Sequence, residues 1–136
     1  MANEEQIQEK YMHLQLIAQT LRQVQQQLQL LDEQAAEIEK MTSGLGELMN
    51  AKIGVNLLVP VSEGIFAKAS LSDHKTLLVN VGSNVVVEKT IEETRNLLQD
   101  RNQELKEHRE ELKKQNGELI EAATALQDEL NKLITQ

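Results

Sequence analysis

The sequence predicts an α+β protein that is mostly α: a long antiparallel two-helix coiled coil with two β-hairpins at its bend. Three observations carry this. Apolar residues recur at alternating three- and four-residue spacing in the first and last thirds of the chain, and a β-branched, glycine-punctuated stretch separates them. Aromatic residues are nearly absent: Tyr11 and Phe66 stand alone, with no Trp. Rings dominate ordinary globular cores, so Leu, Ile, Val and Ala must instead fill helical seams and thin β layers.

The first element runs from Asn3 to about Met49. Its apolar positions are Ile7, Leu14, Ile17, Leu21, Val24, Leu28, Leu31, Ala35, Ile38, Leu45 and Met49, interrupted only by Lys10 and Thr42. Read as heptads, Ile7, Leu14, Leu21 and Leu28 are a positions, and Ile17, Val24, Leu31 and Ile38 are d positions. Gly44 and Gly46 are expected to loosen its end. The Gln-rich stretch from Gln19 to Gln34 reads as good helix formers on a wet face.

The last element, Thr90 to Ile134, opens on Thr90-Ile91-Glu92-Glu93. That is a capping box: the Thr90 hydroxyl accepts from the Glu93 amide, and the Glu93 carboxylate reaches back to the Thr90 amide. One heptad position is then apolar throughout, at Ile91, Leu98, Leu105, Leu112, Leu119, Leu126 and Leu133. Its companion three residues on is mostly polar, at Thr94, Arg101, His108, Gln115, Ala122 and Glu129. Two arms of matched length and seam should pair with each other, each roughly 70 Å long at 1.5 Å per residue. Glu110 with Lys114, and Glu129 with Lys132, are spaced to support an exposed helical face.

Between the arms, residues 53–88 have a different texture. Val55 to Val61 is apolar and β-branched, Ser62-Glu63-Gly64 is a turn, and Ile65 to Leu71 alternates. Ser72 to Lys75 is a polar connector, Thr76 to Val81 a third strand, Gly82-Ser83-Asn84 a turn and Val85 to Glu88 a fourth strand. Pro60 cannot donate to a ladder, so its strand belongs at an edge or a bulge. The whole of 1–136 is expected to be a single domain with the hairpins at its bend.

Four short strands cannot bury this much apolar surface among themselves. Leu57 and Leu58 are adjacent, as are Leu77 and Leu78, and Val85, Val86 and Val87 run together, so both faces are apolar. Open edges of such sheets pair readily with other chains. The expectation is an obligate oligomer whose hairpins close a shared barrel, through Val55, Leu57, Val59, Val61, Ile65, Phe66, Leu77, Val79, Val81, Val85 and Val87.

Composition excludes much else. The formal charge of −8 disfavours nucleic acid and anionic membrane surfaces, which select basic patches. No apolar run approaches the ~20 residues that span a bilayer, and the polar, acidic start from Met1 to Lys10 has no signal-peptide core. The absence of Cys rules out disulfides and thiolate chemistry and favours a cytoplasmic protein. His13, His74 and His108 lie on different elements without ligand spacing. Gly44 and Gly46 lack the Lys-Ser/Thr of a phosphate loop. A two-helix rod offers no concave pocket, so no catalytic residue, metal or cofactor is expected.

The order helix, two hairpins, helix, with Leu58-Val59-Pro60-Val61 and Val79-Asn80-Val81-Gly82 in the strands, resembles the α class of prefoldin subunits. The β class carries a single hairpin. The resemblance implies a jellyfish-shaped hetero-hexamer of two α and four β subunits, including a second copy of this chain. It implies an ATP-independent chaperone that captures non-native proteins at its helical tips and hands them to a group II chaperonin.

Antiparallel pairing places Met1 to Leu14 beside Leu126 to Gln136. Ile7, Tyr11, Met12 and Leu14 on one arm, with Leu126, Leu130, Leu133 and Ile134 on the other, are the candidate client-binding residues, because apolar side chains at a fraying end are only partly shielded. The alternative is that they merely close the coiled coil. At the level of function, the alternative is a spacer, filament subunit or assembly scaffold of the same fold.

Overall fold

Helix α1 (Ala2–Asn50) is followed by strands β1 (Asn56–Ser62), β2 (Ile65–Ser70), β3 (Thr76–Gly82) and β4 (Val85–Thr90), and helix α2 (Ile91–Thr135) closes the chain. This computed structural model describes residues 2–135. Met1 and Gln136, which the sequence reading puts at the tip, lie outside them. The chain divides into two compact units, Met1–Ala35 with Glu104–Gln136, and Ala36–Gln103.

The first unit is a pair of antiparallel helical segments. The α1 seam is Ile7, Lys10, Leu14, Ile17, Leu21, Val24, Leu28, Leu31 and Ala35, all buried or half-buried. Val24, Leu31 and Leu112 form its centre, with Leu28, Leu105 and Leu119 packed against them. The Gln side chains between Gln19 and Gln34 are exposed.

On α2 the repeating leucines face the seam, but their companion is not the expected one. His108, Gln115, Ala122 and Glu129 are exposed, whereas Arg109, Asn116, Ala123 and Leu130, four residues after each leucine, are turned inward. A leucine every seven residues fits a companion at either spacing, and an α-helix drifts ~20° per heptad against a strict repeat. The polar Arg109 and Asn116 hid the true stripe. Near the start of α2 the three-residue companion does hold: Thr94 is buried, its hydroxyl donating to the Thr90 carbonyl at 2.8 Å.

The second unit holds the end of α1, both hairpins and the start of α2. Leu45, Ile91 and Leu98 are its buried apolar residues. Helix α1 runs through Gly44 and Gly46 to Asn50, with Leu45 buried between them. Met49, expected in the seam, is 47% exposed; Leu48 is the half-buried residue there. Beyond the helix, a turn from Lys52 to Val55 is closed by the Val55 amide on the Lys52 carbonyl at 3.1 Å. Gly54 takes φ +87° in it, the third-position geometry of a type II turn.

The two hairpins are copies in register. Leu57↔Ala69, Leu58↔Lys68, Val59↔Ala67, Pro60↔Phe66 and Ser62↔Ile65 in β1–β2 are matched by Leu77↔Lys89, Leu78↔Glu88, Val79↔Val87, Asn80↔Val86 and Gly82↔Val85 in β3–β4. Both ladders shift register at the same place, passing over Val61 and Val81. Pro60 therefore sits beside a bulge on an edge strand, as its missing N–H demands. The second turn has Ser83 at φ +50° and Asn84 at φ +61°, a type I′ turn that matches the strand twist. Strand β4 runs on to Thr90, two residues past the expected Glu88.

Candidate interaction surfaces

The start of α1 and the end of α2 meet in the first unit. Lys10, the expected interruption of the seam, donates a hydrogen bond to Glu129 across the pair, and Arg109 Nε donates to Asp32 Oδ1 at 3.2 Å further along. The hydrogen bond from Lys10, then its charge, holds the Glu129 carboxyl below the usual 4.5. The capping box at the start of α2 forms in both directions, each bond 3.0 Å. The Thr90 amide is the main cause of the lowered Glu93 pKa.

Around this end the candidate tip residues separate into two sets. Tyr11, Met12 and Ile134 are 56%, 64% and 66% exposed, while Leu130 is buried at 4%. Ile7, Leu14, Leu126 and Leu133 are half-buried along the seam.

The hairpins present a second apolar surface. In β1–β2, Val59, Val61, Ile65 and Phe66 are exposed, and only Leu57 and Ala69 are half-covered. In β3–β4, Leu77, Val79 and Val87 are half-buried, while Val81 and Val85 are exposed; Val55 is also exposed. Leu58, Leu78 and Val86 complete the patch. The doublets Leu57-Leu58 and Leu77-Leu78 are the signal for them: one member of each turns from the covered face. Exposed apolar side chains in such number on two short hairpins mark an interaction surface.

The second unit holds an open apolar recess of ≈ 530 Å³ whose lining includes Met41, Leu45, Leu77, Leu78, Leu97 and Leu98. Arg101 is the one charged residue on its wall. A smaller recess takes in His74, Lys75, Glu92 and Arg95. Among the described residues no group of three or more His, Cys, Asp or Glu could hold a metal ion. No helix among them is long and apolar enough to cross a membrane.

A family model, that of the prefoldin subunit, matches residues 17–136. The chain belongs to the prefoldin family. The prefoldin alpha subunit of Pyrococcus horikoshii is 35% identical over 113 residues, 82% of this chain and 72% of that one. The alpha subunit of Thermofilum pendens is 33% identical over 90 residues, 66% of this chain and 70% of that one. That of Archaeoglobus fulgidus is 27% identical over 130 residues, 96% and 95% of the two chains. These relatives place the chain in the archaeal-type alpha class. In the solved structures, filamentous PFD from Methanocaldococcus jannaschii, determined by cryo-EM, aligns with a TM-score of 0.77 at 22% identity. The alignment covers 85% of this chain and 95% of that one, and it shows the fold. Prefoldin subunits act as chaperones in multi-subunit complexes.

Proposed function

We propose that this chain is the α subunit of a cytoplasmic hetero-hexamer of two α and four β-class subunits that holds unfolded proteins without ATP. It captures them at the helix ends and transfers them to a group II chaperonin. The observation that carries this reading is the exposure of Tyr11 and Met12 in the first turns of α1 and of Ile134 in the last turn of α2. A flexible thioether, a ring and a branched aliphatic offer adaptable apolar contacts to clients of no fixed sequence. Ile7, Leu14, Leu126, Leu130 and Leu133 form a second layer, reached when the helix ends separate.

The exposed hairpin residues support burial against the hairpins of β-class subunits and of a second copy of the chain. A shared β-barrel removes the open strand edges. Chain 1–136 then works as one domain, hairpins for assembly and helices for clients. A second reading, a filament, spacer or scaffold subunit, is favoured by the filamentous assembly of the structural neighbour.

Light scattering from a chemically unfolded test protein, diluted with this chain and a β-class partner, separates the two. Suppression of aggregation without ATP, lost when both helix ends are trimmed, supports the chaperone. An assembled complex that suppresses nothing supports the scaffold.

A further inference from the structure

Among the described residues of the helix pair, one buried side-chain oxygen has no hydrogen-bond partner. Asn116 faces the seam between Leu112 and Leu119, and its Oδ1 is buried without a hydrogen-bond partner. A buried carbonyl oxygen left unpaired loses the hydration it keeps when the helix opens. The next residue is Gly117, inside α2, where an added Cβ would meet nothing within 4 Å. Sterics therefore do not require a glycine there, and glycine weakens a helix interior. Four residues after Leu119 the seam offers only the small Ala123.

We propose that Asn116-Gly117 is a built-in opening point at which α2 unravels locally from α1 more often than the helix on its Leu112 side does. Two independent penalties fall on adjacent residues, one on packing and one on backbone. Both are relieved by the same local opening: water reaches the Asn116 amide, and Gly117 regains its conformational freedom. Opening at this point uncovers Leu119 and Leu126, apolar surface continuous with the end of the helix pair. Its use in client capture rests on the chaperone reading; the opening itself does not.

Hydrogen exchange on the full chain tests it, with rates corrected for intrinsic differences. Amides of residues 114–120 should exchange at least about tenfold faster than those of 106–112, the combined effect of an unpaired buried amide and an interior glycine. Gly117→Ala alone should slow the segment about fivefold, and Asn116→Leu with Gly117→Ala should abolish the difference. Equal protection of the two segments in the unsubstituted chain would overturn the proposal, as would an unchanged rate in the double variant. In the aggregation assay the stiffened variant should capture less client. Unchanged capture by it would overturn the link to clients, whereas failure of capture by the unsubstituted complex would count against the chaperone reading instead.

Discussion

Lys10 of α1 and Glu129 of α2 are tied across the helix pair, although Lys10 holds a position that the surrounding heptads reserve for an apolar side chain. The pair joins the start of α1 to the end of α2, and Asp32 with Arg109 repeats the arrangement further along. Polar groups in a seam specify alignment at a cost in stability. Lys10→Leu should therefore raise the melting temperature, by ~4 °C if the new side chain adds about 1 kcal/mol of burial. Calorimetry checks this; a lower melting temperature would mean the ion pair outweighs the leucine.

The same carboxylate makes a pH prediction. Glu129 and Glu93 both have pKa values lowered from 4.5 in the folded chain. A depressed folded pKa contributes stability that is present above the unfolded value and lost as pH falls through the folded one. Stability should be level near neutrality and decline below about pH 4.5. Glu93→Gln and Glu129→Gln together should flatten that decline, read as melting temperature against pH. An unaltered acid limb would assign it to other carboxylates.

The capping box is the clearest local prediction. Thr90→Ala removes the acceptor for the Glu93 amide, which lies at 3.0 Å, and should cost about 1 kcal/mol. Thr90→Ser, which keeps the hydroxyl, should recover most of it. Chemical denaturation of the three chains measures both steps. Equal loss in the two variants would show that the Thr90 methyl, not its hydroxyl, is what matters.

The capping box was legible because it depends on four consecutive residues, and the hairpins because Gly64 and Gly82-Ser83-Asn84 punctuate β-branched runs. The α1 seam was legible because nearly every member is apolar. The α2 companion stripe was not, since Arg109 and Asn116 carry its polar members and only Ala123 and Leu130 betray the four-residue spacing. The exposed state of Leu58 and Leu78 also escaped, because an apolar doublet shows that both faces are hydrophobic without saying which one the helices cover. For the tip residues, the sequence marks apolar character, and only packing separates buried Leu130 from exposed Ile134.

The second turn invites a gain. Ser83 takes φ +50°, a conformation that costs an L-residue about 1 kcal/mol and that Asn tolerates better. Ser83→Asn with Asn84→Gly gives the preferred type I′ pair and should stabilise the hairpin by up to ~1 kcal/mol. The denaturation midpoint of the assembled protein is the readout. No change would mean that the hairpin unfolds before the global transition.

The hairpin patch yields the strongest prediction, because apolar exposure there is so extensive. Leu58 is 67% and Leu78 75% exposed, one at the same place in each of two matched ladders. If both are covered by other subunits, a carboxylate at either must be desolvated beside apolar neighbours, a cost of several kcal/mol per ion. Leu58→Glu and Leu78→Glu should each weaken assembly more than tenfold, and the double variant should sediment as the monomer. Both side chains are largely exposed in the single chain, so helical content by circular dichroism should change little. Assembly unaffected by both substitutions would place the subunit contacts on the opposite face of the hairpins, with Leu57, Leu77 and Val79. Loss of assembly in Leu78→Glu alone would show that the two copies of the hairpin, alike in register, are unequal in use.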